Sequence, residues 1–246
     1  MAAAIRRARA VTDRPTSRER FRRWMPRRTR PYRVRAVRPE RGGVTTLELE
    51  ADGHPGARFQ PGQFARIKAA GAPEDPVAFA SSAEHPEAPA LTVVGTLTAV
   101  APGARVLLDG PHGSFRPPLP GSAYVLICHG IGLAPALSLL RTLADRDDRR
   151  SVRLLAANRR WEDVPYREEL AELEQVLRLR VCHVLSEPPD DWTGERGQID
   201  AALLRRALPT DAAERNIVVS GPPAMTGATR AALIALGIPE PHIAVF

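Results

Sequence analysis

With 246 residues, the chain is long for one hydrophobic core and ample for two domains. Hydrophobic residues at 43% and charged residues at 26% are ordinary for a globular protein. No apolar run reaches the roughly 18 residues that span a bilayer, so no transmembrane segment is expected. The net charge is +7, but residues 1–41 hold fifteen arginines against three acids, which leaves −5 for the remaining 205 residues. One lysine, Lys68, beside so many Arg, Ala and Pro marks a compositional bias, and no nucleic-acid partner is expected from the arginine count alone. Cys128 and Cys182 lie in separate apolar runs without zinc or iron–sulfur spacing, and no secretory signal precedes them. The expectation is no metal and a reducing, cytoplasmic setting.

Residues 1–30 lack sustained apolar periodicity and are dense in like charge, which reads as a solvated basic arm. A second reading lets Phe21 and Trp24 dock that arm on anionic lipid or an acidic membrane redox partner. From Tyr32 the pattern becomes short alternating, β-branched runs (YRVRAVRP, VTTLELEA, GQFARIKA, PALTVVG, ARVLLDGP), which predict a small antiparallel barrel over 31–118. A linker around Pro117-Pro118-Leu119-Pro120-Gly121 follows. Over 119–246, strands AYVLICHG, SVRLLAAN, LRVCHVLS and NIVVSG alternate with helical patterns, predicting an α/β domain with a parallel sheet and helices on both faces.

The first strand of that second half runs into Cys128-His129-Gly130-Ile131-Gly132-Leu133-Ala134-Pro135 and then a helix. Glycines admit a pyrophosphate to the backbone, free N–H groups at the helix start attract it, and Pro135 suits the first helical turn. A structural turn is the alternative for a bare Gly-x-Gly. The last strand ends similarly, in Ser220-Gly221-Pro222-Pro223-Ala224-Met225, and open α/β sheets bind ligands at such strand ends. On this reading Gly132→Val weakens nucleotide binding and leaves the fold intact.

Together with Pro61-Gly62-Gln63-Phe64 and Gly110-Pro111-His112-Gly113, the order of these motifs resembles the ferredoxin–NADP reductase superfamily across roughly residues 31–246. Within it, the N-terminal border, Asn158-Arg159-Arg160 and the closing Phe246 look most like the cytosolic half of bacterial ferric-reductase-type proteins. The resemblance implies a flavin-binding barrel and a nicotinamide domain, with FAD and NAD(P)H as cofactors. Hydride would pass from NAD(P)H to the flavin, and electrons would leave singly to a separate protein, heme, iron–sulfur centre or metal chelate. The missing four-cysteine ferredoxin segment puts that acceptor on another molecule.

The resemblance also nominates residues. Gln63 and Phe64 border the flavin, and Asp75-Pro76-Val77-Ala78-Phe79-Ala80-Ser81-Ser82 stands where the family carries Arg-x-Tyr-Ser. Val77 or, with a two-residue shift, Phe79 takes the stacking position, with Ser81 following. Ungapped, Asp75 replaces the basic residue and Ala78 the hydroxyl, losing a charge, a stacking surface and a hydrogen bond. Gly95 and Thr98 match a second flavin-phosphate segment. Gly130, Gly132, Ala134, Pro135, Gly221, Pro222 and Met225 would hold the dinucleotide, and Ser220 and Phe246 flank the site of hydride transfer. Asn158, Arg159 and Arg160 follow the second strand, where guanidinium groups suit an adenosine 2′-phosphate, though in so arginine-rich a chain two solvated arginines are the plainer reading. His129 replaces a family glycine and is open between a contact to diphosphate and a crowded turn. The alternative to an enzyme is a non-catalytic relative that keeps the fold, binds nucleotide and serves as an interaction subunit.

Overall fold

The computed structural model describes residues 29–70, 73–113 and 119–246; the expectation of a basic, membrane-docking arm over 1–30 lies almost wholly outside them. Six strands form the first unit: β1 (Thr29–Pro39), β2 (Thr45–Ala51), β3 (Phe64–Ala69), β4 (Asp75–Phe79), β5 (Ala90–Val93) and β6 (Arg105–His112). They close into an antiparallel barrel in the order β1-β2-β5-β4-β3-β6. Period-two alternation drives this: Val34, Leu47, Leu49, Ile67, Phe79, Leu91 and Val106 point inward and are almost fully buried.

β4 was not legible as a strand because it is short and opens Asp-Pro, with Ala78 following, and these three residue types are depleted in strands. The barrel tolerates Pro76 because β4 pairs with β5 only at Ala78 and Phe79, so the missing N–H falls outside that ladder. Val77 and Phe79 share the inner face, whereas Pro76 and Ala78 are directed outward.

The second unit is a six-stranded sheet ordered β10-β9-β8-β7-β11-β12, from β7 (Tyr124–His129), β8 (Val152–Asn158), β9 (Leu179–Leu185), β10 (Glu195–Arg196), β11 (Asn216–Ser220) and β12 (Ile243–Val245). All its pairings are parallel. Helices α1 (Leu133–Asp145), α2 (Arg167–Val176), α3 (Ala201–Ala207) and α4 (Pro223–Ala235) connect the strands. Two apolar clusters, one on each face, bury the sheet: Leu126, Leu137, Leu140, Leu154 and Leu170 on one side, Ile127, Leu155, Leu203, Ile217 and Leu233 on the other. β7 to β10 build outward in one direction and β11 and β12 in the other, so the chain switches direction between β7 and β11. That switch leaves a crevice at the carboxyl ends of the strands. No helix among the described residues is long and apolar enough to cross a membrane.

The units are joined by polar contacts between α1, α2 and the barrel. Tyr166, which precedes α2, has φ +55, a conformation costing a non-glycine residue about 1–2 kcal/mol. Its buried hydroxyl is 2.9 Å from the Thr46 hydroxyl and 2.8 Å from that of Thr92, both on the barrel. Arg141 of α1 donates two hydrogen bonds to Glu169 (2.6 and 2.7 Å) and a third to the Ala80 carbonyl (2.8 Å). Ser138 donates to the Ser81 carbonyl (2.7 Å), and the Ala83 N–H donates to Thr142 (3.0 Å).

Candidate active site

Two turns close the switch-point crevice. Strands β7 and β11 run in register with Cys128 opposite Ser220, so the Gly130–Gly132 turn and the Ser220–Gly221 turn leave the sheet side by side. They touch: a Cβ on Gly132 would lie 2.4 Å from the Ser220 carbonyl oxygen and 2.7 Å from the Gly221 nitrogen. Glycine at 132 is therefore required by backbone against backbone, and the expectation that Gly132→Val spares the fold is corrected. Gly130 has φ +55 and open space where its Cβ would be, so it is the turn's left-handed position. Phe246 follows β12, its N–H donating to the Val219 carbonyl (2.9 Å), which brings it beside Ser220.

Across from these turns stands the barrel wall, and between the two lies a cleft of about 890 Å³. That volume is in the range of small-molecule sites, which run to about 1,000 Å³. From the barrel come Gly62, Gln63, Phe64, Asp75, Pro76, Val77, Ala78, Val94, Gly95, Thr96 and Gly113. Ile131, Gly132, Pro135, Ser220, Gly221, Val245 and Phe246 complete it from the sheet. Seven segments spread along the chain thus meet at one cleft.

The placement of the remaining candidates sharpens the picture. Gln63 braces the wall: its side-chain oxygen accepts from the Gln60 N–H and its amide donates to the Gly113 carbonyl, both at 2.7 Å. Phe64 lines the cleft and tilts against His112, with ring centroids 5.5 Å apart. Phe79 is not at the cleft; it is buried and stacks on Phe59 inside the barrel, with centroids 4.1 Å apart and planes 9° from parallel. Ser81 lies at the junction with α1, its hydroxyl accepting from the Ala90 N–H (3.0 Å). Thr98 donates to the Gly95 carbonyl (2.7 Å) within its own 3-10 turn, and its neighbours Thr96 and Leu97 face the cleft instead. Ala134 is buried in α1, while Pro222 and Met225 begin α4 beyond the cleft lining, Met225 being exposed.

Asn158 ends β8, its carbonyl accepting from the Ser186 N–H. Arg159 and Arg160 are both exposed and both donate to one carboxylate, Glu187 (2.7 and 3.1 Å). The Arg159 hydrogen bond, and then that of Arg160, holds the Glu187 carboxyl below its usual range. His129 points away from the cleft: it is buried, its Nε2 3.1 Å from the Thr229 hydroxyl of α4, and burial pulls its pKa down. Cys128 is buried and burial pushes its thiol pKa up, so it is no nucleophile. Sequence reasoning had no signal for Val94, Ile131 and Val245, apolar residues 46%, 39% and 43% exposed on the cleft walls.

The donor set tells what the cleft suits. Phe64, Pro76, Val77, Val94, Pro135 and Phe246 offer apolar walls for a planar heterocycle, and the Ser220 hydroxyl with nearby backbone groups supplies polar contacts at the strand ends. A flavin ring and a nicotinamide fit these walls. Each turn also runs into the start of a helix, α1 or α4, the end of a helix that favours anionic groups.

Residues 126–231 match the family model described as "Oxidoreductase NAD-binding domain". Nitrate reductase [NADPH] of Emericella nidulans is 31% identical over 180 residues, covering 67% of this chain and 21% of that protein. NADH-cytochrome b5 reductase 1 of Lodderomyces elongisporus is 33% identical over 139 residues, covering 55% of this chain and 46% of that protein. The chain thus spans from about a fifth to under half of these curated relatives. Among solved structures, the ferredoxin reductase in carbazole 1,9a-dioxygenase superposes with a TM-score of 0.74 at 27% identity, covering 88% of this chain and 68% of the other. The cytochrome b5 reductase domain of Ulva prolifera nitrate reductase shares the fold, with a TM-score of 0.77 at 21% identity over 90% of this chain and 98% of that domain.

Proposed function

Because this chain belongs to the ferredoxin–NADP reductase superfamily, we propose that it is an NAD(P)H-dependent flavin oxidoreductase that delivers electrons to a separate acceptor. The observation that carries this reading is the single cleft in which the Gly130–Pro135 and Ser220–Gly221 turns face the barrel wall of Phe64, Pro76 and Val77. A nicotinamide bound at the strand ends and a flavin bound against the barrel share that space. When bound, FAD supplies the change from two-electron hydride chemistry to single-electron delivery.

The protein's own residues orient and enclose. The Ser220 hydroxyl would stand beside the rings and Phe246 and Ile131 would cover them from the sheet side, while Gln63 fixes the loop carrying Gly113 against β3. Tyr166 and Arg141 tie the two units together, keeping the walls at a fixed separation. The similar proteins named for nitrate, cytochrome b5 and carbazole dioxygenase systems support an acceptor on another protein, with heme or a ferric chelate as stand-ins. A reducing cytoplasmic setting belongs to the same proposal, supported by two unpaired thiols, Cys128 and Cys182.

A second reading, a nucleotide-binding subunit without redox chemistry, is favoured by β4, which gives the cleft neither an aromatic ring nor a hydroxyl. Steady-state assay with FAD, NADH or NADPH and ferricyanide separates the two. FAD-dependent reduction of the acceptor supports the enzyme, and NAD(P)H binding without any turnover supports the subunit.

A further inference from the structure

The charge on the cleft walls is one-sided. Among the described residues that line it, Asp75 is the sole one with a charged side chain, and it forms no ion pair with any described residue. The nearest arginine on β3, Arg66, is turned to Glu74 instead (3.8 Å). The other polar groups at that end of the wall are neutral: the Thr96 hydroxyl and the backbone of the Gly95–Ala99 turn, whose Thr98 hydroxyl is already committed to the Gly95 carbonyl.

Position along β4 gives this charge a direction. The Phe79 end of the strand leads into Ala80 and Ser81, whose carbonyls are held by Arg141 and Ser138 of α1, so that end abuts the sheet unit. Asp75 is four residues back, about 13 Å away at the rise of a strand. A flavin whose ring lay near Ser220 and Phe246, with its side chain extended along β4, would bring that side chain toward the Asp75 end of the wall. A phosphate there meets like charge where recognition calls for a cation.

We infer that Asp75 makes this cleft select flavins against their phosphate, the ring being held by apolar walls so that riboflavin binds at least as tightly as FMN or FAD. This rests on the oxidoreductase reading above, which places the ring. It also makes the flavin an exchangeable ligand, since no cationic side chain among the residues lining the cleft holds its phosphate. Asp75 is the specificity-determining residue, acting by repulsion rather than by a new attractive contact.

The test is equilibrium dialysis of the full chain with riboflavin, FMN and FAD at low and at high salt. Wild type is expected to bind riboflavin as tightly as FMN and FAD or several-fold more tightly, the gap narrowing as salt screens the carboxylate. Asp75→Asn should narrow it at low salt, and Asp75→Arg should reverse it, favouring FMN and FAD over riboflavin by about tenfold. Far-ultraviolet circular dichroism confirms that the variants fold, and the asparagine variant carries the test should the arginine variant not fold. FMN or FAD binding more tightly than riboflavin to wild type overturns the inference alone, as does an unchanged ratio in both variants. Failure of all three flavins to bind while NADH binds overturns it together with the oxidoreductase reading.

Discussion

A methyl group on Gly132 is the sharpest probe of how the two turns are built. In Gly132→Ala the added carbon would sit 2.4 Å from the Ser220 oxygen, 2.5 Å from its carbonyl carbon and 2.7 Å from the Gly221 nitrogen. All three are backbone atoms, so no rotamer change relieves the clash and the β7 and β11 turns must part. Overpacking of this kind costs about 1–3 kcal/mol, and the rigidity of the neighbours puts this case at the upper end. At about 2–4 °C per kcal/mol for a chain of this size, the midpoint of thermal unfolding should fall by about 6–12 °C. Gly130→Ala is the control. Its φ of +55 costs alanine about 1 kcal/mol, but its methyl meets nothing within 4 Å, so the loss should be about 2–4 °C. Melting followed by tryptophan fluorescence, with NADPH affinity measured on each variant, reads both effects. Gly132→Ala should lose affinity as Ser220 is displaced. A Gly132→Ala protein that melts with the wild type, or above Gly130→Ala, would refute the close approach of the two turns.

Three further outcomes are expected. Tyr166→Phe strips the Thr92 hydroxyl of its buried partner while Thr46 retains Glu40, so urea denaturation should show a loss of about 1–3 kcal/mol, and an unchanged midpoint would deny the hydroxyl its joining role. Burial holds both His129 and His183 below their ordinary value of 6.5, so the unfolded chain takes up protons first as pH falls. Stability should hold above that value and drop as pH falls below it, and His129→Asn should flatten that slope; a midpoint constant from pH 7 to 5 would contradict the burial. Glu187→Gln removes the shared carboxylate partner of Arg159 and Arg160, and should raise affinity for NADPH relative to NADH severalfold; an unchanged ratio would place the 2′-phosphate elsewhere.

The barrel and the parallel sheet were legible because their signals are local: alternation in β1, β2 and β6, and helical periodicity between apolar runs from Tyr124 onward. Elements whose existence depends on partners were not. β10 is two residues long and β12 three, and each is a strand only because β9 or β11 lies beside it. β4 hid behind Asp75 and Pro76, and nothing local showed that Phe79 is directed into the barrel, where it stacks on Phe59 away from the cleft.

The site was legible to a similar depth. Motif order singled out Gln63, Phe64, Gly132, Pro135, Ser220 and Phe246, which the structure gathers at one cleft, since turns at strand ends carry glycine and proline for stated conformational reasons. It did not distinguish a glycine that approaches ligand from one that approaches protein, because the Gly132 neighbour lies 88 positions further along the chain. Nor did it show that His129 turns back to Thr229, or that Arg159 and Arg160 share Glu187, since those partners come from helix α4 and from the loop after β9.

The central claim is that one cleft brings a nicotinamide and a flavin together. Its most direct test is an anaerobic absorption titration of the protein loaded with flavin, following the visible flavin band as NADH or NADPH is added. The account predicts that the band bleaches with one nicotinamide consumed per flavin and that Phe64→Ala slows the bleaching. A flavin that stays oxidised in the presence of bound NAD(P)H would contradict it.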